Sequence, residues 1–334
     1  MDLSRRLFIA LPALGASVAT FAQSARAQAQ TIKLATTAVN DLDTYWLEQF
    51  KKNLEAASGG KVLANVYPAS QLGSGSTMAE GLAMGTIEAA INASGVYETL
   101  EPRFAILSMP GLFNSMSEGA RLLAKPEVRK IMEPIGRDKG VQTLTLLAHS
   151  PVGIVTRKPI QTLADFKGMK IRVPGSPLLV EQLKQVGAAP IAMSLGEVLP
   201  AFQNGTIDGV YAGTTIFTAL KYYDIAKNMT LLPSTFIIIL GLVNSDFVQG
   251  LGPMQSIVAD AAHKADVDGA AWGETDVDNA KGLWEKNGGK VYSLSDEEAK
   301  KYLDIVIPVG LKALTPAAQA DYQALRAIAL QNHG

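Results

Sequence analysis

Hydrophobic and polar residues follow helical and strand-like periods in turn along the chain. Apolar side chains repeat every four positions from Trp46 to Leu54, which predicts a helix with one buried stripe, capped at its start by Asp43. Residues 61–67 then alternate between apolar and polar in the manner of a strand, and residues 31–35 form another short strand before the helix. The chain therefore opens as a strand, a helix and a second strand.

The same alternation continues towards the C-terminus and is typical of an α/β fold. Further predicted strands cover residues 86–91, 141–148, 152–157, 169–173, 207–211 and 236–243. Further predicted helices cover residues 76–84, 126–139, 176–186, 194–203 and 253–286. The phrase Gly-Gly-Lys-Val, which ends a helix and starts a strand at residues 59–62, recurs at residues 288–291 and hints at two similar lobes.

The first 29 residues are interpreted as an export signal. They combine the twin-arginine pattern Ser-Arg-Arg-Leu-Phe-Ile at residues 4–9, a weakly apolar stretch over residues 7–22 and small-x-small cleavage sites at residues 25–27 and 27–29. The alternatives are the general secretion route and an amphipathic helix of the folded domain. No later stretch approaches the ~20 apolar residues of a membrane span. We therefore expect a soluble protein in the periplasm.

Composition narrows the function classes. The 334 residues suffice for two domains, and 48% hydrophobic content allows a sizeable core. A net charge of -1 offers no electrostatic footprint for nucleic acid or an anionic membrane. The absence of cysteine excludes disulfides, thiolate metal sites and cysteine nucleophiles.

The residues that usually carry catalysis are scattered. None of the three histidines, His149, His263 and His333, has a metal-ligand spacing, and no nucleophile elbow or complete phosphate loop occurs. We expect no metal, no cofactor and no enzymatic activity. His263 and His333 are expected in solvent, whereas His149 ends an apolar strand and is either a structural residue or a ligand contact.

Three pairs of aspartates are expected on solvated faces. Residues two positions apart point in different directions on a helix, so neither member of a pair would reinforce the other. The pairs are Asp41 with Asp43, Asp266 with Asp268, and Asp276 with Asp278.

Arg172 is the strongest binding candidate. It lies between apolar Ile171 and Val173 in the strand at 169–173, just before a Pro-Gly turn and a helix. In α/β folds ligands bind in the crevice beyond strand ends, and a guanidinium can pair both oxygens of a carboxylate there. The residues alone leave open a second role, in which Arg172 bridges to a buried acid.

The surroundings of Arg172 resemble the binding proteins of TRAP (tripartite ATP-independent periplasmic) transporters, the DctP-like family. The likeness covers nearly the whole mature chain, and the order and spacing of its pieces carry it. The pieces lie at residues 32–35, 60–61, 67–68, 71–73, 109–113, 158–160, 163–177, 187–190, 196–198, 205–209 and 221–224.

The resemblance implies a two-lobed periplasmic binding protein fold of type II-like architecture, with the ligand cleft between the lobes and a long helix spanning both. Lobe 1 is expected to hold residues 30–150 and part of 238–280. Lobe 2 is expected to hold residues 151–237 and part of 281–334. Arg172 matches the strand arginine that grips the ligand carboxylate in the family. The other pocket positions implied by the resemblance are Thr37, Ser94, His149, Leu195, Tyr211 and Phe236.

Three departures from the family pattern bear on the ligand. Many members carry a second arginine where residues 148–152 offer only His149, and the frequent Gln-Glu-Asn-Pro phrase is replaced at residues 210–213. Residues 236–240 are apolar where some relatives are polar. An unpaired buried polar group costs ~1–3 kcal/mol. A monocarboxylate with an apolar or aromatic body, such as a 2-oxo acid, is therefore favoured over sialic acid and C4-dicarboxylates.

The mechanism implied is hinge closure around the ligand, followed by docking on the small and large membrane subunits of the transporter. Three alternatives remain at this stage. They are a receptor that presents its ligand to a sensor kinase, an exported enzyme on the same fold, and a structural protein.

Overall fold

The computed structural model describes residues 29–331. Residues 1–28, which contain the twin-arginine pattern, and His333 lie outside the described residues. Nine strands join in one sheet in the order β2-β1-β3-β8-β4-β7-β5-β6, with β9 paired to β8. The strands are β1 (Gln30–Ala35), β2 (Val62–Tyr67), β3 (Ala89–Ala93), β4 (Val141–Thr156), β5 (Lys170–Val173), β6 (Ala189–Ala192), β7 (Gly209–Gly213), β8 (Asn228–Asn244) and β9 (Lys290–Ser293).

Helices cover both faces of this sheet, which confirms the predicted α/β class. They are α1 (Leu42–Ala57), α2 (Gly75–Ala83), α3 (Met116–Leu123), α4 (Pro126–Met132), α5 (Pro177–Gln185), α6 (Leu195–Gln203), α7 (Thr214–Ala219), α8 (Ser245–Gly250), α9 (Gln255–Lys286), α10 (Asp296–Ala313) and α11 (Pro316–Leu330). Short 3-10 turns connect several of them. None of the helices in residues 29–331 combines the length and apolar character needed to span a membrane.

Two long strands divide the sheet into halves. The C-terminal part of β8 and the N-terminal part of β4 pair beside β3, while the other parts of the same strands pair beside β7 and β9. Two hydrophobic clusters pack against each half. The sheet therefore has two separately packed halves that share β4 and β8, and the lobe boundary at residues 150 and 151 stays a prediction.

The junction of the halves is irregular. The pairing of β4 with β8 shifts register between Ala148 and Ser150 and again between Pro151 and Gly153, which leaves His149 out of the ladder. Proline cannot donate to a ladder and is confined to edges and bulges, so the irregularity accommodates Pro151 in a central strand. The separate strands predicted at 141–148 and 152–157 are thus one strand with a bulge.

The other predicted elements are present, but most of them begin or end at different residues from those predicted. The helix predicted at 126–139 stops at Met132, and the strand predicted at 86–91 runs over Ala89–Ala93. Asp43 does not cap α1, because Asp41 has the extended backbone of the cap and accepts a hydrogen bond from the Thr44 N–H. The predicted long helix is α9, whose Ala265 packs with the first half of the sheet and whose Trp284 packs with the second.

Asp266 ties α9 to the first half of the sheet, contrary to the expectation of a solvated side chain. Its carboxylate accepts hydrogen bonds from Trp46 Nε1 at 2.8 Å, from Arg129 Nη2 at 2.7 Å and from the Thr145 hydroxyl. Burial raises its pKa despite these bonds, which act to lower it. The four side chains belong to α1, α4, β4 and α9, so one buried carboxylate joins four elements.

We predict that Asp266→Ala lowers the free energy of unfolding by about 2–4 kcal/mol, because buried donors on Trp46 and Thr145 lose their acceptor. Urea titration followed by tryptophan fluorescence measures the change. Asp268→Ala, two residues along the same helix and exposed, is the matched control and should change stability by less than about 0.5 kcal/mol. Equal losses in the two variants would contradict a structural role for the buried carboxylate.

Candidate functional site

The junction of the two halves encloses a cleft with two connected cavities. An inner chamber of about 70 Å³ is walled mainly by aliphatic residues and Tyr211. An outer cavity of about 360 Å³ shares Thr37, Arg172 and Leu195 with it, along with Val96 and Pro174. Side chains from both halves of the sheet therefore face one enclosed space.

Arg172 lies at the boundary of the two cavities. Its side chain rises from β5 and only 5% of the residue is exposed. Nε donates to the Met193 carbonyl at 2.9 Å and Nη1 to the Tyr211 carbonyl at 3.3 Å, which fixes the plane of the guanidinium. Among residues 29–331 no carboxylate forms an ion pair with it. A buried cation without a counter-anion thus faces the cleft.

A second polar group in the inner chamber consists of Asp41, Asp43 and His149. Asp41 Oδ2 lies 3.2 Å from His149 Nε2, and Asp41 Oδ1 accepts from the Thr44 N–H at the start of α1. Asp43 Oδ2 accepts from the Thr36 hydroxyl at 3.1 Å. Asp43 Oδ1 is buried without a hydrogen-bond partner and lies 3.8 Å from His149 Nε2. One carboxylate oxygen is therefore left free beside the chamber.

The local backbone places His149 in this cluster. The bulge in β4 removes the residue from the ladder, and bulges commonly redirect a side chain next to a binding site. Gly213, at the end of the neighbouring strand β7, lets the ring fit, since a Cβ there would overlap the Ser150 hydroxyl and lie 3.2 Å from His149 Nδ1. Gly213, in the stretch 210–213 where the resemblance led us to expect a different sequence, thus leaves room for the ring of His149.

Burial shifts the pKa values of the charged groups around the chamber. Desolvation lowers the pKa of Arg172 to about 10 and raises the pKa of Asp43 to about 8, with the charge of Asp41 adding to the second shift. Burial acts to lower the pKa of His149, but its hydrogen bond to Asp41 and the nearby acids give a net upward shift. Burial also raises the pKa of Asp276 on α9 to about 6.

The structure brings five of the seven sequence-predicted site residues around the inner chamber. They are Thr37, His149, Arg172, Leu195 and Tyr211. Ser94 and Phe236 instead line a smaller cavity of about 20 Å³ that also contacts Tyr211. Phe236 packs there against Phe113, with ring centroids 4.7 Å apart. His263 is exposed, as expected.

The expectation that Asp41 and Asp43 are solvated is wrong. They are 1% and 3% exposed, respectively. The spacing rule assumed that both lie on a helix, whereas Asp41 precedes the helix and has an extended backbone, so the two carboxylates turn to the same side. Tyr222 was also not singled out; its buried hydroxyl has no hydrogen-bond partner, and burial raises the pKa of this phenol to about 12, although the charge of Arg172 acts to lower it. No pattern along the chain marks it as polar at its tip.

The arrangement of Asp41, Asp43 and His149 resembles two known kinds of site, a metal site and a nucleophilic triad. Asp41, Asp43 and His149 each offer one ligand atom, and these atoms lie within 4.8 Å of one another, a separation compatible with a metal ion. Asp41, His149 and Ser150 are also linked in the order of a nucleophilic triad, with Nδ1 2.9 Å from the Ser150 hydroxyl. Ser150 is fully buried and does not line the chamber, so its hydroxyl cannot reach a substrate.

The raised pKa of Asp43 predicts a pH dependence of stability. An acid whose pKa is higher in the folded state than in the unfolded state contributes less stability as pH rises between the two values. For Asp43 these are about 4 in the unfolded state and about 8 in the folded state. We expect the free energy of unfolding to fall over this range by up to about 1.4 kcal/mol per pH unit from this group. His149 acts in the same direction, because its raised pKa adds stability that is lost as pH rises.

Urea unfolding of wild type and Asp43→Asn at pH 5, 6, 7 and 8 measures the effect. The variant should show the shallower decline, and Asp278→Asn, an exposed position, should match wild type. A variant that declines as steeply as wild type would contradict the raised pKa.

Comparison with known proteins places this cleft in a family. Residues 35–314 match the family model described as bacterial extracellular solute-binding protein, family 7. The 2,3-diketo-L-gulonate-binding periplasmic protein YiaO of Escherichia coli is 27% identical over 250 residues, which is 74% of this chain and 76% of the relative.

Two solved structures share the fold. A TRAP periplasmic solute-binding protein from Desulfovibrio desulfuricans with bound sn-glycerol-3-phosphate has a TM-score of 0.83 and 26% identity, covering 90% of this chain and 97% of the other. The sugar acid binding protein DctPAm from Advenella mimigardefordensis, in complex with galactonate, has a TM-score of 0.84 and 20% identity, covering 91% and 99%.

These matches confirm the two-lobed fold predicted from the resemblance. Members of the family are periplasmic binding proteins rather than enzymes, and they work with membrane permease subunits. The chain belongs to the bacterial extracellular solute-binding proteins of family 7, the binding components of TRAP transporters.

Proposed function

We propose that this protein captures a small organic carboxylate through Arg172 and delivers it to the membrane subunits of a TRAP transporter. The observation that carries the proposal is the state of the guanidinium: buried, oriented by two carbonyls and without an internal acid among the described residues. A buried cation is costly unless it is paired, and a ligand carboxylate supplies the pair with two charge-assisted hydrogen bonds.

The walls of the inner chamber support a monocarboxylate with a compact apolar body. Val96, Ile216, Ile237 and Ile239 offer no hydrogen-bond partners for a chain of hydroxyls. The three relatives named above bind a diketo sugar acid, a glycerol phosphate and a galactonate, respectively. A ligand with fewer hydroxyls than these suits this chamber better, because each unpaired buried hydroxyl would cost about 1–3 kcal/mol.

Closure of the two lobes is the proposed binding step. Glu98, in the part of the chain predicted as lobe 1, accepts hydrogen bonds from the Ser176 hydroxyl at 2.7 Å and the Leu178 N–H at 3.4 Å, both in predicted lobe 2. Its other oxygen accepts from Ser108 at 2.7 Å. Contacts that span the cleft favour the closed state, and a ligand that touches both sides adds to that preference.

Export by the twin-arginine route is proposed on the pattern at residues 4–9. This route transports folded proteins, which agrees with a chain that requires no disulfide formation after export. Fusion of residues 1–29 to a reporter that must fold in the cytoplasm, expressed with and without Arg5→Lys and Arg6→Lys, tests the assignment. Export that continues in the double variant would favour general secretion.

We predict that Arg172→Ala weakens binding of the best organic acid by about 10- to 100-fold, equivalent to about 1.5–3 kcal/mol. The affinity of Arg172→Lys should lie between those of Arg172→Ala and wild type, because an ammonium keeps the positive charge but cannot form the two parallel hydrogen bonds of a guanidinium. A thermal-shift screen of organic acids identifies the acid, since a ligand at 100 times its dissociation constant stabilises wild type by about 2.7 kcal/mol. Calorimetry then measures affinity.

Arg137→Ala, at an exposed residue, controls for the loss of one positive charge. The melting temperature without ligand shows whether each variant is folded. Full affinity in a folded Arg172→Ala would refute the carboxylate site, whereas binding of the corresponding uncharged amides as tightly as the acids would refute an anionic ligand.

We predict that Glu98→Ala weakens ligand affinity by about 2- to 10-fold without contact between Glu98 and the ligand. Each hydrogen bond that Glu98 accepts across the cleft stabilises the closed state by about 0.5–1.5 kcal/mol, and the substitution removes these bonds. A double-mutant cycle with Ser176→Ala measures their coupling, and small-angle scattering measures the ligand-induced decrease in radius of gyration. Additive losses in the cycle would show that the two side chains do not act together.

A further inference from the structure

Building on the proposed carboxylate site, we propose that the ligand is zwitterionic and that Asp43 binds its cationic nitrogen. The ligand class is a small amino acid or related ammonium carboxylate, held by Arg172 at one wall of the inner chamber and by Asp43 at another. Both residues line the same chamber.

The free oxygen of Asp43 is the first observation. Three of the four carboxylate oxygens of Asp41 and Asp43 have partners, from Thr36, Thr44 and His149. The fourth, Asp43 Oδ1, is buried with no hydrogen-bond partner, in a residue that is 3% exposed and lines the chamber. A buried acceptor left unpaired is costly, so a donor from the ligand is the natural partner.

The balance of charge is the second observation. Asp41 already has a counter-charge in His149, at 3.2 Å, whereas Asp43 Oδ1 lies 3.8 Å from the same nitrogen. Asp276 adds a third acid whose charge interacts with His149. Three acids thus surround one histidine, so Asp43 can become a carboxylate only when a second cation compensates its charge. Arg172 presents the opposite excess elsewhere in the chamber.

A single free acceptor fits an ammonium better than a metal ion. His149 Nε2 faces Asp41 at hydrogen-bond distance, and its proton is therefore engaged rather than replaced by a metal. Metal sites require three or more ligand atoms free to coordinate, and only Asp43 Oδ1 is uncommitted in this cluster. A neutral hydroxyl would give the oxygen a hydrogen-bond partner but would supply no positive charge to compensate a carboxylate.

Protonation of Asp43 gives the proposal a measurable signature. Without ligand, burial raises the pKa of this acid and keeps it protonated up to about pH 8. A bound ammonium favours the carboxylate, so its binding releases a proton and strengthens as pH rises. Binding of a hydroxyl at the same place releases none. The polar and charged groups that surround Asp43 are Thr36, Asp41, Tyr97, His149, Arg172 and Asp276.

The experiment compares acids that differ only in one group. The first set is 3-aminopropanoate, 4-aminobutanoate and 5-aminopentanoate, each beside its hydroxy and unsubstituted counterpart. The second set is leucine beside 2-hydroxy-4-methylpentanoate and 4-methyl-2-oxopentanoate. Calorimetry at pH 6, 7 and 8 in buffers of different ionisation enthalpy measures affinity and proton release. EDTA is present in one arm, and Zn²⁺ or Ca²⁺ in another.

We expect at least one amino acid to bind about 10-fold or more tightly than its hydroxy counterpart, with proton release and with affinity rising by up to about 10-fold per pH unit. Asp43→Asn should lower that affinity by about 10- to 100-fold and abolish the pH dependence, while changing the affinity for hydroxy acids by less than about 3-fold. Asp278→Asn, at an exposed position on α9, should behave as wild type.

Other outcomes overturn the proposal. Hydroxy or oxo acids that bind as tightly as their amino counterparts would show that no cation is recognised, and so would failure of every amino acid to bind. Binding that requires Zn²⁺ or Ca²⁺ and is lost in EDTA would assign the cluster to a metal. Neither result bears on the carboxylate site, which fails if acids bind a folded Arg172→Ala with full affinity or if uncharged amides bind wild type as tightly as the acids.

Discussion

The cleft depends on a buried guanidinium that forms no ion pair with any acid among residues 29–331. Removing a charge from water is costly, and folded proteins usually answer the cost with an ion pair. Here two backbone carbonyls, of Met193 and Tyr211, take up Nε and Nη1 and so fix the plane of the side chain. Carbonyl dipoles orient the cation but do not cancel its charge. The lowered pKa of Arg172 expresses the remaining penalty, which an anion in the cleft would relieve.

Asp41 and Asp43 are buried acids, and their negative charge is compensated in a different way from the positive charge of Arg172. Asp41 is paired with His149, while Asp43 is kept neutral by a raised pKa. A proton is a removable counter-charge, whereas a lysine or arginine at this place would fill the chamber permanently. The inner chamber therefore holds a fixed positive group and a negative group that becomes charged only when it is compensated.

Much of the fold was predictable, because local patterns decide it. The stripe from Trp46 to Leu54 packs as a buried helix face, and the apolar residues 236–243 lie in a strand. Failures occurred where tertiary structure overrides a local rule. Two separate strands were predicted on either side of Pro151, yet a bulge lets one strand continue through this position. Periodicity also cannot show that this strand crosses between two halves of a sheet.

The site was predictable to the extent that backbone position decides it. Arg172 and Tyr211 lie in β5 and β7, respectively. Thr37 lies two residues after β1, and Leu195 begins α6 three residues after β6, so all four positions meet in the crevice of the sheet. The acids at the start of α1 were missed because a helical wheel was applied one residue before the helix begins. Their partner His149 lies more than 100 residues away in the chain, a contact that no single-sequence pattern encodes.

Relatives at 20–27% identity establish the fold, which is the shared frame of the family, but not the ligand. The two halves and the strand that carries Arg172 belong to that frame, and carboxylate recognition is the part of the chemistry that a shared frame can conserve. The second polar group depends on residues that differ from the family pattern: a histidine where many members have an arginine, and a glycine that leaves room for its ring. His149 already pairs with Asp41, so Asp43 is left to a proton or to a cation supplied by the ligand. The charge that the proposed ligand carries opposite its carboxylate thus depends on what compensates Asp43, and the shared fold does not determine it.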